Sequence, residues 1–256
     1  MLLVVRCLLC LFLGIFASAA SARDIYVLVL GDQSAGNCHA RAYGSIPGVF
    51  LLGSDGRERL AADPLEWSDC KGGSIWLPLA ARLKSQPGVD KVVLMPIAVR
   101  DAKMAQWIEG VAVSRLDAGL AVAQARGIKF DYVLWQHGLT DENAPANMYL
   151  NQMRTLIKST TSKVKLDKWL IAQSGACFGN PQKGIDAARS RLSQQNLLNR
   201  FPGPSDAGLG SAEQMADCSL SELGQERMAQ RWFESIKRAD SLSTRRQKET
   251  LVYYFK

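Results

Sequence analysis

Histidine is scarce in this sequence, which has only two, His39 and His137. No Gly-x-Gly-x-x-Gly and no Gly-x-x-x-x-Gly-Lys-Ser/Thr motif is present, which argues against the nucleotide-binding uses of an α/β chain. No Cys-x-x-Cys occurs after residue 22, and two histidines are a poor basis for a zinc site. We therefore expect no metal ion and no cofactor.

Long hydrophobic runs are confined to the first 22 residues. An early positive charge at Arg6 precedes an apolar stretch over residues 7–16, and small residues follow up to Ala22. This order predicts a signal peptide over residues 1–22, cleaved before Arg23. The alternative, a membrane anchor, requires about 20 apolar residues, more than this stretch provides. We expect a secreted or periplasmic protein without a transmembrane segment after cleavage.

Four cysteines remain once the predicted signal peptide is removed: Cys38, Cys70, Cys177 and Cys218. An even number in an exported chain predicts two disulfides, for which three connectivities exist. Their order along the chain favours Cys38–Cys70 and Cys177–Cys218, since each pair would join loops at the same end of a sheet.

The formal net charge is +7, and it falls by one when Arg6 is removed. A basic surplus favours anionic partners, and export makes an acidic polysaccharide or an anionic envelope surface a better candidate than nucleic acid. Much of the charge lies near residues 241–256, which we interpret as a separate basic tail. It could be an added edge strand, a docking segment or a loose end.

Residues 23–240 alternate between apolar strand patterns and helical periodicity, which predicts one doubly wound α/β domain with a mainly parallel sheet. The first strand, over residues 25–30, is a continuous run of Val, Ile and Leu, typical of a strand covered on both faces. The other predicted elements are strands at 49–53, 91–99, 130–135 and 168–173, and helices at 74–86, 102–127 (broken near Gly110), 146–160, 185–198 and from Ser221 onward.

Four polar segments follow predicted strands or open the next helix: residues 31–37, 72–76, 135–141 and 217–224. Parallel sheets place their sites at this carboxyl edge. Ser34 lies in the first segment between Gly31 and Gly36, where a sharp turn can expose a nucleophilic hydroxyl. The alternative is a plain strand-to-helix connection in which the serine acts as a cap.

This set of segments, in this order, resembles the SGNH hydrolases, and among them the carbohydrate esterases similar to sialate O-acetylesterases. The resemblance implies a three-layer α/β/α sandwich with a flavodoxin-like sheet. It also implies Ser34 as the nucleophile beside Gln33, and an oxyanion donor on the backbone of Gly73. The remaining matches are Trp135, Gly138 and Asp141 in the third segment and Cys218, Ser221 and Gly224 in the last.

The chain departs from this family where the catalytic base is expected. The family's histidine falls on Ser219 and its orienting aspartate falls on Ala216, and no histidine follows His137. A serine hydroxyl needs a base to become a good nucleophile. His137, oriented by Asp141 or Asp217, is one candidate base, and His39 is another. Each histidine could instead be structural, His137 bonded to a carbonyl and His39 fixed by a disulfide at Cys38.

Donors for a developing negative charge are easier to find than a base. The backbone of Ser34 and Gly73 and the side chain of Asn37 could surround an oxyanion, and Gly138 and Gln33 belong to the same predicted binding site. Two functions remain open. The first is a serine esterase that removes O-acetyl or similar groups from a carbohydrate. The second is an inactive relative that binds an envelope glycan or exopolysaccharide.

Overall fold

The computed structural model describes residues 22–138, 140–141, 144–173, 183–195 and 199–254, with the backbone alone at 183 and 247–254. The predicted signal peptide lies outside this part except for Ala22, so cleavage and export stay predictions. Within the described ranges, no helix has the combination of length and hydrophobicity that a membrane crossing requires.

The described residues contain seven strands and five α-helices, and after the third strand helices and strands alternate. In order they are β1 (Arg23–Gly31), β2 (Val49–Leu52), β3 (Glu58–Leu60), α1 (Trp76–Lys84), β4 (Val89–Ala98), α2 (Val111–Ala125), β5 (Lys129–Gln136), α3 (Ala146–Lys163), β6 (Lys165–Ile171), α4 (Lys183–Ser193), β7 (Arg200–Pro202) and α5 (Glu222–Tyr254). Short 3-10 helices follow β1 and β4.

The strands form one sheet in the order β3-β2-β4-β1-β5-β6-β7. Only β3 runs antiparallel, on β2; the other pairings are parallel. β1 lies in the middle between β4 and β5, where the chain switches from one half of the sheet to the other. In doubly wound sheets a crevice forms at this switch, beyond the carboxyl ends of the strands. The first strand of the chain therefore leads directly to the candidate site.

Helices cover both faces of the sheet. On β1, Val27 and Val29 pack into a core with α1 and α5. Leu28 and Leu30 pack into a second core with α2, α3 and α4. Alternate residues of a strand point to opposite faces, so a central strand with helices on both sides is apolar throughout. The predicted three-layer α/β/α sandwich with a mainly parallel sheet is confirmed.

The last helix continues past residue 240, where the sequence analysis placed the start of a separate tail. Its inner face carries Met228, Trp232 and Ile236, all buried, whereas the apolar Leu223 in its first turn is exposed. The helix extends to Tyr254. Between 241 and 254 there is no glycine or proline, and Lys, Arg, Gln and Glu favour helix, so this composition allows the helix to continue. Through Tyr254 the edge-strand alternative is therefore wrong.

Candidate functional site

The turn after β1 is organised by a buried carboxylate. β1 ends at Gly31, and a 3-10 helix, Gln33–Ala35, presents Ser34. Asp32 caps it: its Oδ1 accepts from the Ser34 N–H at 3.0 Å and from the Ser34 hydroxyl at 2.6 Å. Its Oδ2 accepts from the N–H of Gly138 at 2.8 Å. Because Asp32 is fully buried, its carboxylate holds the Ser34 turn against the end of β5.

Gln136 joins this turn to the last helix. Its Nε2 donates to the carbonyl of Ser34 at 2.9 Å, and its Oε1 accepts from the indole N–H of Trp232 at 2.7 Å. The backbones of β1 and β5 are also very close here. A Cβ added to Gly31 would lie 1.7 Å from the Gln136 carbonyl oxygen. Only glycine fits at this position, and the close contact with β5 sets the point at which β1 ends and the Ser34 turn begins.

His39 connects the Ser34 turn to the loop before α5. Its Nδ1 accepts from the N–H of Leu220 at 3.1 Å, and its Nε2 lies 3.2 Å from the carbonyl of Ser34. A backbone N–H can only donate, so Nδ1 is the acceptor and Nε2 carries the proton. Burial lowers the pKa of His39 to about 4, although Asp217 and Asp32 raise it. His39 is therefore neutral at pH 7, and both its ring nitrogens are used in this bridge.

A second Asp-x-Ser turn lies on the same side of the sheet. The hydroxyl of Ser219 donates to Asp217 Oδ1 at 2.5 Å, and the Ser219 N–H donates to the same oxygen at 3.1 Å. These hydrogen bonds lower the pKa of Asp217. Ser219, the position to which the sequence resemblance assigned a histidine, is hydrogen-bonded to Asp217, two residues before it.

The two turns line one pocket of about 370 Å³, which we call the Ser34 pocket. Its lining residues are Gln33, Ser34, Asn37, Cys38, His39, Cys70, Gly72, Arg100, Asp101, Asp217, Cys218 and Ser219. The predicted residues Ser34, Gln33 and Asn37 are thus brought together. Gly73, His137, Gly138 and Asp141 are not among the lining residues.

The predicted oxyanion donors all have partners inside the protein. The Ser34 N–H donates to the capping carboxylate, and the Gly73 N–H donates to the carbonyl of His39 at 2.9 Å. The Asn37 amide donates to the carbonyl of Leu65 at 2.8 Å and accepts from its N–H at 3.0 Å. Asn37 is fully buried, so its side chain fixes the loop that carries Leu65. These bonds leave the predicted oxyanion hole unassembled.

Gln33 and Gly138 have structural contacts beside their predicted role in binding. The Gln33 Oε1 accepts from the N–H of Asp101 at 3.0 Å, which joins the Ser34 turn to the loop after β4. Gly138 has a φ of +148°, and a Cβ there would lie 1.7 Å from the guanidinium of Arg189. Gln33 lines the pocket and keeps its predicted role as a hypothesis. Gly138 affects the pocket indirectly, because its N–H donates to the Asp32 carboxylate that caps the Ser34 turn.

His137 lies in a separate buried group, which we call the His137 cluster: Trp135, His137, Asp141, Tyr149 and Arg189. Its Nε2 is 2.9 Å from the carbonyl of Ala102 and 3.4 Å from Asp141 Oδ2. Its ring stacks on Trp135 with centroids 4.9 Å apart. Burial lowers its pKa.

His137 and Asp141 are therefore close to each other, but each also has other hydrogen-bond partners. The buried guanidinium of Arg189 donates to the His137 carbonyl, and the N–H of Met104 donates to Asp141 Oδ2 at 2.6 Å. The Ser34 hydroxyl bonds to Asp32, and His137 bonds to a carbonyl, as the structural alternative for this residue supposed. Catalytic roles for His137 and Asp141 stay predictions that require these contacts to change.

The disulfide pattern agrees with the sequence where it is described. Cys38 and Cys70 are bonded, with their Cα atoms 5.1 Å apart, which confirms the first predicted pair. Cys218 is also disulfide-bonded. Its predicted partner, Cys177, lies outside the described residues, so that pairing stays a prediction. In the described ranges, no group of three or more His, Cys, Asp and Glu side chains is placed to hold a metal ion.

Sequence reasoning missed Asp32 and Gln136, and it considered Asp217 only as a partner of His137 and not as the partner of Ser219. A signal for two of these turns was available, because Asp-x-Ser occurs at 32–34 and again at 217–219 in the segments already singled out. An Asp two residues before a Ser commonly caps a short turn. Gln136 gave no comparable signal.

Comparisons of sequence found no matching family model and no matching curated protein. Solved structures do match. A protein of Arabidopsis thaliana has a TM-score of 0.60 at 16% identity, covering 82% of this chain and 96% of that one. A family 3 carbohydrate esterase of Clostridium thermocellum has 0.53 at 14%, covering 86% and 99%. A variant of Axe2, an acetyl xylan esterase of Geobacillus stearothermophilus, has 0.50 at 13%, covering 86% and 96%.

At these identities the similarity concerns the fold. The neighbours include carbohydrate esterases of SGNH type, and their chains are covered almost completely. They do not distinguish the sialate O-acetylesterase-like branch from others. The seven-stranded, mostly parallel sheet between two helical layers gives this chain the fold of the SGNH hydrolases.

Proposed function

We propose that this chain is an exported carbohydrate-binding protein built on the SGNH hydrolase fold, with the Ser34 pocket as its binding site. The observation that carries the proposal is the hydrogen-bonding state of Ser34. Its hydroxyl and its N–H both donate to Asp32, while the other predicted oxyanion donors are bonded within the protein. The pocket is therefore formed and polar, whereas the hydroxyl and the oxyanion donors that acyl transfer needs are hydrogen-bonded within the protein.

Acyl transfer to a serine has two requirements, and this arrangement supplies neither a histidine base nor available oxyanion donors. A base must take the hydroxyl proton, and donors must point at the oxygen on which negative charge develops. The neutral His39 bridges two backbone groups, and His137 bonds to the carbonyl of Ala102. Ser219 falls at the position of the catalytic histidine in the family that this sequence resembles.

Carbohydrate is the ligand class that the pocket's chemistry and the neighbours jointly support. The pocket volume of about 370 Å³ lies within the range of small-molecule sites. Hydroxyl, carboxylate, amide and guanidinium groups line it, and such groups suit a ligand that carries many hydroxyls. Two of the matching solved structures are named as carbohydrate esterases.

A second candidate function is hydrolysis of a carbohydrate ester through Ser34. One contact favours it: the Ser34 hydroxyl lies 2.6 Å from Asp32 Oδ1, a carboxylate that could accept its proton. The Ser34 oxygen would attack the acyl carbonyl, the sugar alcohol would leave with a proton, and water would then release the acid. This route needs oxyanion donors that the present contacts do not provide.

One experiment separates the two functions. The protein without residues 1–22, its Ser34→Ala variant and a Ser114→Ala control are assayed for p-nitrophenyl acetate turnover and for binding to an array of polysaccharides in acetylated and de-O-acetylated form. Ser114 is exposed and bonds only to its own helix, so this control should match the wild type. We expect binding with turnover no faster than Ser34→Ala or buffer. Turnover lost in Ser34→Ala would establish the esterase instead, and absence of both binding and turnover would contradict both functions.

A further inference from the structure

The Ser34 pocket offers a ligand more hydrogen-bond acceptors than donors. The Ser34 hydroxyl donates to Asp32, and the Ser219 hydroxyl donates to Asp217. A hydroxyl has one hydrogen and two lone pairs. Each serine oxygen therefore keeps only acceptor capacity for a ligand. An ionised carboxylate also accepts only, and the hydrogen bonds from Ser219 lower the pKa of Asp217.

Three donors among the lining residues are used within the protein, while the amide nitrogen of Gln33 is a further donor in the lining. The His39 Nε2–H donates to the Ser34 carbonyl, the Asn37 amide donates to the Leu65 carbonyl, and the Gly72 N–H donates to the Asn37 carbonyl at 2.8 Å. The guanidinium of Arg100, with 66% of its side chain exposed, forms an ion pair with Asp101. Its exposure places it at the rim.

From this arrangement we propose that the Ser34 pocket selects carbohydrate hydroxyls in their free, unacylated form. The inference rests on the proposed binding function and names its ligand class, a glycan from which O-acyl groups are absent at the recognised position. A free hydroxyl can donate to the serine oxygens and to Asp217. An ester has no such hydrogen. At Ser34, Ser219 and Asp217 its carbonyl oxygen would meet acceptors rather than donors.

This preference is opposite to that of an esterase pocket, which must direct donors at an acyl oxygen. An acceptor left without its donor weakens binding where water cannot reach it, and among these acceptors Ser219 is buried. The discrimination expected from one lost hydrogen bond to a charged or carboxylate-polarised acceptor is about tenfold or more in Kd.

The test uses one polymer in two chemical forms. Acetylated xylan and acetylated glucomannan are each measured by biolayer interferometry before and after alkaline de-O-acetylation, with released acetate assayed in parallel. We expect the deacetylated form of a bound polymer to bind about tenfold more tightly or better, without acetate release. Asp217→Asn introduces a donor while keeping an oxygen for Ser219. It should reduce the preference or invert it, which a general loss of structure would not do.

Ser114→Ala serves as the matched control and should keep the wild-type preference, and thermal melts check that each variant is folded. Equal binding of both forms, or tighter binding of the acetylated form, would overturn the selectivity and leave the proposed function intact. An unchanged preference in a folded Asp217→Asn variant would also overturn it. Binding to neither form of any polymer would instead count against the proposed function.

Discussion

The Ser34 pocket and the His137 cluster differ in what surrounds their polar groups, although both lie at the carboxyl edge of the sheet. In the pocket, Ser34 and Ser219 face a cavity and bond to aspartates two residues away. In the cluster, His137 and Arg189 are buried among aromatic rings and backbone carbonyls. One region can meet a ligand. The other acts as part of the core.

A strand's alternation explains why the two regions are separate. Gln136 and Gly138 reach the Ser34 turn, whereas His137 between them contacts Ala102 and Tyr149 on the opposite face. Successive residues of an extended chain point to opposite sides. A histidine at this position therefore faces away from the serine even though its neighbours on both sides bind the serine's turn.

The largest expected effect comes from Gly31→Ala, which would disturb the backbone contact next to both regions. The added Cβ would lie 1.7 Å from the Gln136 carbonyl oxygen, so β1 and β5 must separate. We expect a loss of more than about 4 kcal/mol in the free energy of unfolding. Urea unfolding measures it.

Gly44→Ala is the matched control, because a Cβ at Gly44 would meet nothing within 4 Å. It should change stability by no more than about 1 kcal/mol. Similar stabilities for the two variants would show that β1 and β5 are not in contact at Gly31, and the link between the pocket and the cluster would then be absent.

The next effect concerns pH and the bridge made by His39. Its pKa is about 4 in the folded protein, against the ordinary value of 6.5. Between these values the unfolded chain binds more protons, so stability rises with pH across this window and is lost as pH falls through it. The His39 contribution is about 3 kcal/mol between pH 7 and pH 4.

His39→Gln isolates this contribution. A glutamine can accept from the Leu220 N–H and donate to the Ser34 carbonyl, but it does not titrate. Urea unfolding at pH 7 and pH 4 should show a drop that is about 3 kcal/mol larger in the wild type than in the variant. His137, whose pKa burial also lowers, contributes equally to both proteins. Equal drops would mean that His39 is accessible to protons in the folded state.

The sequence was sufficient for the α/β/α architecture, because the helices and the five longer strands carry their own periodicity, but the three-residue strands β3 and β7 were not predicted. The run over residues 25–30 identified the central strand, and the polar segments after the strands lie at one edge as predicted. The site was harder, since its chemistry depends on which donors reach which acceptors in three dimensions. Asp32 binds Gly138, 106 residues away, and no local pattern specifies that contact. The same holds for Gln136 and Trp232.

The smallest expected effects separate the two Asp-x-Ser turns from each other. Asp32 is fully buried and accepts from Ser34 and from Gly138, whereas Asp217 is exposed. In Asp32→Asn the amide hydrogens would face the Gly138 N–H, and a buried donor would lose its acceptor. We expect a loss of about 2 kcal/mol in the free energy of unfolding. Asp217→Asn should change it by no more than about 0.5 kcal/mol, because the amide oxygen can still accept from Ser219 and the side chain is exposed to water.

The two variants make the same chemical change in the same local motif, so their difference reports the burial of Asp32 together with its hydrogen bond from Gly138. Urea unfolding of both at pH 7 gives that difference directly. A cost for Asp217→Asn as large as that for Asp32→Asn would mean that the second turn is also packed inside the protein, and the Ser34 pocket would then be closed on that side. A small cost for both would mean that the Asp32 carboxylate does not hold the end of β5, and the Ser34 hydroxyl would be free to meet a base.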